Sequence, residues 1–263
     1  MTILLPHVGD LELGPLLAHY REHGYVRLGR VIAEEHLVRL RSRAEALMLG
    51  DVVIPGLFFQ ADSATGRYED LRYGQGYVGP SLDYRKLEKL ERDDLFRAHL
   101  ENPLFERIAR AVLGDAVSIY RATLFNKSIR GGAPLPWHQD AGSYWGLDRD
   151  PELQIWTALD DCTLEAGCLR VVPGSHHGGL ATPLGGLIPA NIALRDCADA
   201  RALDVPALAG EVLLIHNHLW HSSGANESGL ARRAFTVCYM DAATRCLRRK
   251  RAPREFVRVF VRD

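Results

Sequence analysis

Apolar residues recur at helical spacing in the first part of the chain. They repeat every three to four positions over 15–23, 37–48 and 103–113, and a glycine follows each run within two residues, where helices commonly end. Asn102 before a proline is typical of a helix N-terminus. Residues 25–28 have the character of a short strand. We therefore predict three helices and one strand in this region.

After residue 114 the pattern changes to short segments rich in β-branched and aromatic residues. Gly, Pro or Asp bounds these segments, which cover 116–127, 152–160, 168–172, 211–216 and 233–241. Few helical patterns separate them, which disfavours a parallel βαβ sheet and favours an antiparallel sandwich or barrel. We expect one domain over 1–263, mainly β with flanking helices: a helical part over about 1–114 and a β core over about 115–245.

Two long connections have weak periodicity and contain Gly and Pro, over 50–80 and 176–206. Loops of this length in a compact domain are often lids or substrate walls. Disorder is the competing interpretation, and the sequence favours neither.

The charge of the chain is close to neutral. It has 32 Lys and Arg against 33 Asp and Glu, so no overall field attracts nucleic acid or anionic lipid. Five cysteines without a C-x-x-C pair disfavour a disulfide framework and a thiolate zinc site. The N-terminus lacks the pattern of a signal peptide, and no apolar run approaches the ~20 residues of a membrane span. We expect a cytoplasmic protein that binds neither nucleic acid nor membrane.

The segment Pro-Trp-His-Gln-Asp at 136–140 carries the strongest candidate chemistry. In a strand, His138 and Asp140 point to the same face and can converge on one ion. Imidazole plus carboxylate makes two-thirds of a facial triad, which leaves coordination positions open for other ligands. Three histidines after a hydrophobic strand, His216, His218 and His221, compete for the third position, and spacing alone does not choose between them.

A pair of arginines opens the last predicted strand of the core. Arg232 and Arg233 are adjacent, so they point to opposite faces and only one can face the interior. An interior arginine beside a metal can grip a carboxylate with two charge-assisted hydrogen bonds. We expect the other arginine to be in solvent.

Taken together, these motifs resemble the phytanoyl-CoA dioxygenase (PhyH) family of Fe(II)/2-oxoglutarate-dependent oxygenases. Order and spacing agree from about residue 86 to 241, most specifically in the segments 124–127, 137–140, 156–161, 165–176, 221–226 and 232–234. The resemblance implies a double-stranded β-helix, that is, a cupin-like jelly roll.

The resemblance also implies a role for individual residues. His138, Asp140 and His221 match the family's iron ligands, because the distal ligand heads the H-x-S-G-x-N segment that here begins at His221. Arg232 and Ser223 match the positions that bind the far carboxylate of 2-oxoglutarate. Further positions expected in the co-substrate pocket are Trp156, Gln139, Thr123, Asn126 and Lys86.

The implied reaction uses Fe(II), 2-oxoglutarate and O2. It would hydroxylate a C–H bond of a small-molecule substrate, a natural product or an acyl compound, with release of succinate and CO2. Related halogenases lack the carboxylate ligand, so Asp140 favours hydroxylation over halogenation. Desaturation and ring formation stay open. The rival hypotheses are a non-redox metal-binding isomerase or binding protein of cupin type and a catalytically inactive relative.

Overall fold

The structure is a computed structural model, and it describes residues 2–74, 76–130, 132–249 and 254–261. The α-helices in this part of the chain are α1 (Leu13–His23), α2 (Glu34–Leu49), α3 (Asp94–Leu100), α4 (Pro103–Leu113), α5 (Ala190–Arg195) and α6 (Ala198–Arg201). The three predicted helices are confirmed as α1, α2 and α4. Gly24 and Gly50 end the first two in the left-handed conformation, at φ 80° and 84°.

Thirteen strands lie in the described ranges. They are β1 (Tyr25–Arg30), β2 (Phe58–Ala61), β3 (Tyr84–Glu88), β4 (Val117–Lys127), β5 (Leu135–Gln139), β6 (Leu153–Ala158), β7 (Leu169–Val171), β8 (Gly186–Leu187), β9 (Leu203–Val205), β10 (Glu211–Ile215), β11 (His221–Ser223), β12 (Arg232–Asp241) and β13 (Val257–Phe260). All pairings between them are antiparallel. The five strand segments predicted for the core are confirmed as β4, β6, β7, β10 and β12.

The strands form a larger and a smaller sheet. The larger sheet has the order β1-β10-β6-β12-β4-β3-β2, with β13 also paired to β4, and the smaller has the order β8-β5-β11-β7-β9. Neighbours in each sheet are mostly distant in sequence, as in a jelly roll. This is the expected mainly β architecture with flanking helices.

The N-terminal part is less purely helical than expected. It contributes β1, β2 and β3 to the larger sheet, where β1 pairs with β10 and β3 pairs with β4. The strand predicted at 25–28 is confirmed as β1, whereas no strand was predicted at the positions of β2 and β3. The segments 50–80 and 176–206 also contain short elements, among them β2, β8 and α5.

The helices cover the outer face of the larger sheet. Leu37 and Leu40 of α2, Phe105 and Ile108 of α4, and Phe235 of β12 are fully buried in one apolar cluster. Asn102 caps α4, because its side-chain oxygen accepts a hydrogen bond from the Phe105 amide at 3.1 Å. This packing leaves the inner face of the sheet free to form a cavity with the smaller sheet.

None of the helices in the described ranges is both long and apolar enough to cross a bilayer. The cytoplasmic location and the single domain over 1–263 stay predictions, and so does the expectation that the protein does not bind nucleic acid.

Candidate metal and co-substrate site

Three predicted ligands converge between two strands of the smaller sheet. His138 of β5 and His221 of β11 are directly opposite in the antiparallel register, and their ring centroids are 3.9 Å apart. Asp140 follows β5, and its Oδ2 is 3.7 Å from His221 Nε2. One ligand atom from each residue lies within 4.8 Å of the other two. Among the described residues, these three side chains are the group of His, Cys, Asp or Glu residues whose geometry could hold a metal ion.

Backbone carbonyls fix which nitrogen of each imidazole faces the site. His138 Nδ1 lies 2.9 Å from the Pro136 carbonyl, and His221 Nδ1 lies 2.9 Å from the Leu219 carbonyl. A carbonyl only accepts hydrogen bonds, so each Nδ1 carries the proton and each Nε2 keeps its lone pair. Burial, followed by the neighbouring His221, lowers the pKa of His138 to about 3. The imidazole of His138 is therefore neutral, as a metal ligand must be.

Asp140 is held by its backbone and by one carboxylate oxygen. Its amide donates to the Asn217 carbonyl at 2.9 Å, and the Asn217 side chain donates to the Asp140 carbonyl at 2.8 Å. Arg121 of β4 donates to Oδ1 at 2.9 Å. Burial raises the pKa of Asp140, but Arg121 and the two histidines outweigh it and hold the pKa well below its usual range. Oδ2 is thus left as an ionised ligand atom facing the histidines.

The triad opens into a cavity between the two sheets. The cavity has a volume of about 60 Å³ and is partly open to solvent. The predicted residues that line it, besides the triad, are Trp156, Ser223, Arg232 and Asn126. The Asn126 amide donates to the carbonyls of Leu82 and Tyr84, so it also anchors the wall of the cavity.

Arg232 is buried, and only some of its N–H donors have a hydrogen-bond acceptor. Its Nη2 donates to the Gly167 carbonyl at 3.0 Å, and the guanidinium lies 5.8 Å from the centre of the Trp156 ring. Its buried Nε has no hydrogen-bond partner within the described chain. A buried donor without an acceptor costs free energy, so this geometry suits a bound anion.

Arg233 points to the opposite face, as expected, but it is not in solvent. It forms a two-point ion pair with Asp160, at 2.7 and 3.0 Å, and a third bond to Glu45 of α2 at 2.5 Å. The prediction of a solvated side chain is wrong, because α2 covers that face of the sheet and supplies an acceptor.

Three expected pocket residues do not line the cavity: Gln139, Lys86 and Thr123. Gln139 alternates with the two ligands beside it, so its amide points the other way and bonds to the carbonyls of Gly179 and His218. Lys86 does not line the cavity and pairs with Glu88 at 2.7 Å. The resemblance assigns residues by their position along the chain, whereas the fold sets the direction of their side chains.

Thr123 lies on the cavity face of β4 but is not part of the cavity lining. It is opposite Thr236 in the register of β4 and β12, and Thr236 lines the cavity. The hydroxyls of both threonines are buried without a hydrogen-bond partner among the described residues. Thr123 therefore supports the wall from one strand further along.

His216 and His218 are held away from the triad. His216 Nδ1 accepts a hydrogen bond from the His218 amide at 3.0 Å, and His218 Nε2 pairs with Asp150 at 2.9 Å. Neither histidine belongs to the group of side chains that could hold a metal ion, so the geometry agrees with His221 as the third ligand.

Sequence reasoning missed three cationic residues. Arg121 touches Asp140, and both Lys127 and Arg85 line the cavity. Burial, followed by the nearby Arg232 and Arg85, lowers the pKa of Lys127 to about 7. Alternation along β4 could have found two of them, since residues 121 and 127 share a face with Thr123.

Comparison with known proteins agrees with this geometry. The sequence model of the family described as phytanoyl-CoA dioxygenase (PhyH) matches residues 20–234, which is most of the chain. The chain belongs to this family. A PhyH relative, the phytanoyl-CoA dioxygenase domain-containing protein 1 of Bos taurus, is 32% identical over 161 residues, which are 57% of this chain and 54% of that protein. The chain thus spans about half the length of the curated relatives it matches.

Solved structures confirm the jelly-roll fold of this PhyH protein. The carbocyclase SnoK from nogalamycin biosynthesis, described as non-haem and α-ketoglutarate dependent, superimposes with a TM-score of 0.68 at 23% identity, over 95% of this chain and 94% of that one. EctD from S. alaskensis, solved with 2-oxoglutarate and 5-hydroxyectoine, gives a TM-score of 0.68 at 20% identity, over 89% of this chain and 77% of that one.

The donor set of this PhyH protein fits ferrous iron. Two imidazole nitrogens and one carboxylate oxygen on one side of an ion form the facial triad of non-haem iron oxygenases. The unpartnered Arg232 Nε in the same cavity fits a diacid co-substrate.

Proposed function

We propose that this protein is an Fe(II)/2-oxoglutarate-dependent dioxygenase that hydroxylates a C–H bond of a small-molecule substrate. The supporting observation is that a His-Asp-His triad and a buried arginine with an unused donor line one cavity. The two features together match a co-substrate that has a chelating end and a carboxylate end.

His138, Asp140 and His221 would hold the iron and leave three coordination positions free. The bound iron supplies activation of O2 coupled to the oxidative decarboxylation of 2-oxoglutarate to succinate and CO2. Arg232 neutralises the far carboxylate of the co-substrate, and the Ser223 hydroxyl adds a hydrogen bond at the same end.

The remaining wall excludes water and orients the substrate. Phe125, Leu135, Trp156, Leu169 and Ile215 give the cavity an apolar lining. Such a lining strengthens the electrostatic contacts of Arg232 and protects reactive species from side reactions.

The proposal is tested by anaerobic addition of Fe(II) and 2-oxoglutarate. The chelate of iron with this co-substrate has a weak visible charge-transfer band, which we expect in the wild type. His138→Ala and His221→Ala remove a ligand and should abolish the band. His216→Ala is the matched control, since His216 is a neighbouring histidine outside the triad, and it should retain the band. A band of normal strength in His221→Ala would refute the ligand assignment.

A non-redox cupin-type metal protein, either an isomerase or a binding protein, is the alternative. It would bind a metal at the same triad but would have no use for the free donor of Arg232. Release of succinate from 2-oxoglutarate in the presence of Fe(II) and O2 distinguishes the two functions.

A further inference from the structure

Arg85 in β3 is a second buried arginine that lines the cavity. It is 8% exposed and borders the same space as the iron-ligand triad. Its guanidinium makes no hydrogen bond or ion pair with any residue the structure describes, and it lies over the ring of Tyr68, 5.3 Å from the centre. Arginine has five N–H donors, so this side chain has most of its hydrogen-bonding capacity unused.

The charged groups near Arg85 are already engaged. Asp62 is the acidic neighbour, but its two carboxylate oxygens accept the backbone amides of Ser63 and Ala133, at 2.8 and 3.2 Å. Lys127 donates to the carbonyls of Ala133 and Gly224. Among the cations that line the described part of the cavity, Arg85 therefore has the most donors without an acceptor.

Both carboxylates of the proposed co-substrate have a partner without Arg85. 2-Oxoglutarate has two carboxylates, of which one chelates the metal and the other pairs with Arg232. The donors of Arg85 can bind a further anionic group in the same cavity, and the primary substrate can supply it. We infer that Arg85 binds a carboxylate of the primary substrate, so that the substrate is an organic acid. This inference rests on the proposed function.

The position of Arg85 in the fold suits contact with a substrate. It is the second residue of β3, directly after the connection 62–83 that joins β2 to β3. Tyr68 and Tyr73 of this connection share a hydrogen bond between their hydroxyls at 3.1 Å, and Tyr73 is exposed. Arg85 thus lies where the side chains of Tyr68 and Tyr73 adjoin the cavity.

The test uses an acid and its matched neutral amide as probes. The enzyme is loaded with Co(II) and N-oxalylglycine, which occupy the metal and the co-substrate position without turnover. Hexanoate and hexanamide are then titrated, and binding near the metal is measured from the paramagnetic broadening of their proton signals, with Zn(II)-loaded enzyme as the diamagnetic reference. The variants are Arg85→Gln, Arg85→Lys and, as control, Arg130→Gln, which removes an arginine with an 80% exposed side chain.

We expect wild type and Arg130→Gln to bind hexanoate about tenfold or more tightly than hexanamide, since a charge-assisted hydrogen bond has about that effect. Arg85→Gln should lose this preference, and Arg85→Lys should keep part of it. Equal binding of acid and amide by the wild type, no binding of either, or an unchanged preference in Arg85→Gln would overturn the inference.

Failure of this inference differs from failure of the proposed function. If the Fe(II)/2-oxoglutarate band forms and the preference for the acid is absent, only the role of Arg85 is wrong. If Arg85→Gln loses the band itself, Arg85 serves the co-substrate and the inference is refuted. If the wild type forms no band, the proposed function fails.

Discussion

At the scale of single residues, the geometry of the site depends on the groups that hold its side chains in place. The carbonyls of Pro136 and Leu219 set the tautomers of the two histidines proposed as ligands, and Arg121 occupies one oxygen of Asp140. Groups of this kind tune metal affinity because they orient the ligands and set their charge. Arg121 also stacks on Trp145, 4.6 Å from the centre of its ring, so the guanidinium is itself held in place.

Arg121→Gln should weaken metal binding by about 10- to 100-fold, because Asp140 Oδ1 loses its donor and the carboxylate is free to turn. Titration with Co(II), followed by the d–d absorption, measures both the affinity and the geometry of the site. Arg121→Lys, which keeps the charge, should recover part of the affinity. Arg149→Gln removes an exposed Arg–Asp pair and should have no effect. Wild-type affinity in Arg121→Gln would show that Arg121 does not position the ligand.

At the scale of elements, a buried polar chain joins the helical layer to the larger sheet. His36 of α2 contacts His99 of α3 at 3.2 Å, and His99 contacts Thr157 of β6 at 3.1 Å. Both histidines are fully buried. Burial, followed by Arg39, lowers the pKa of His36 to about 4, and burial, followed by His36, lowers the pKa of His99 well below its ordinary value.

The histidine chain predicts loss of stability in acid. The unfolded state takes up these protons near pH 6.5, whereas the folded state resists them, so the stabilisation is complete above about pH 6.5 and decreases as the pH falls toward 4. One histidine contributes at most about 1.4 kcal/mol per pH unit to this slope. The free energy of unfolding from urea titrations at several pH values measures it. His36→Gln should give a shallower slope between pH 6.5 and 4, and an unchanged slope would contradict the prediction.

At the scale of the whole molecule, the cavity exists because helices cover only one face of the larger sheet. The smaller sheet then closes the other face, and the proposed metal ligands come from its adjacent strands β5 and β11 and from the residue after β5. A ligand that binds only the folded state stabilises it by mass action.

Co(II) and N-oxalylglycine should therefore raise the melting temperature. A ligand at about 100 times its Kd adds about 2.7 kcal/mol, which corresponds to roughly 5–10 °C for a domain of this size. Differential scanning fluorimetry measures the shift. Arg232→Gln should keep the increment from Co(II) and lose most of the increment from N-oxalylglycine, since the carboxylate loses its partner. A full increment in this variant would contradict the assigned role of Arg232.

The sequence by itself determined the elements that have a strong local signal, and it indicated the candidate metal ligands. The apolar spacing of α2 and α4, their glycine or asparagine ends, and the strands of the core are local properties of the chain. The triplet from His138 to Asp140 is local too, because alternation along a strand puts both residues on one face. The choice of His221 over His216 depended on the resemblance to the PhyH family.

Only the tertiary structure decided what lies across from each side chain. The pairing of β5 with β11 joins residues that are distant in sequence, and it brings His221 opposite His138. The packing of α2 on the sheet turned Arg233 from an expected surface residue into a buried ion pair. The free donors of Arg85 are equally invisible in the sequence, because whether a polar group has a partner depends on neighbours that only the folded chain brings together.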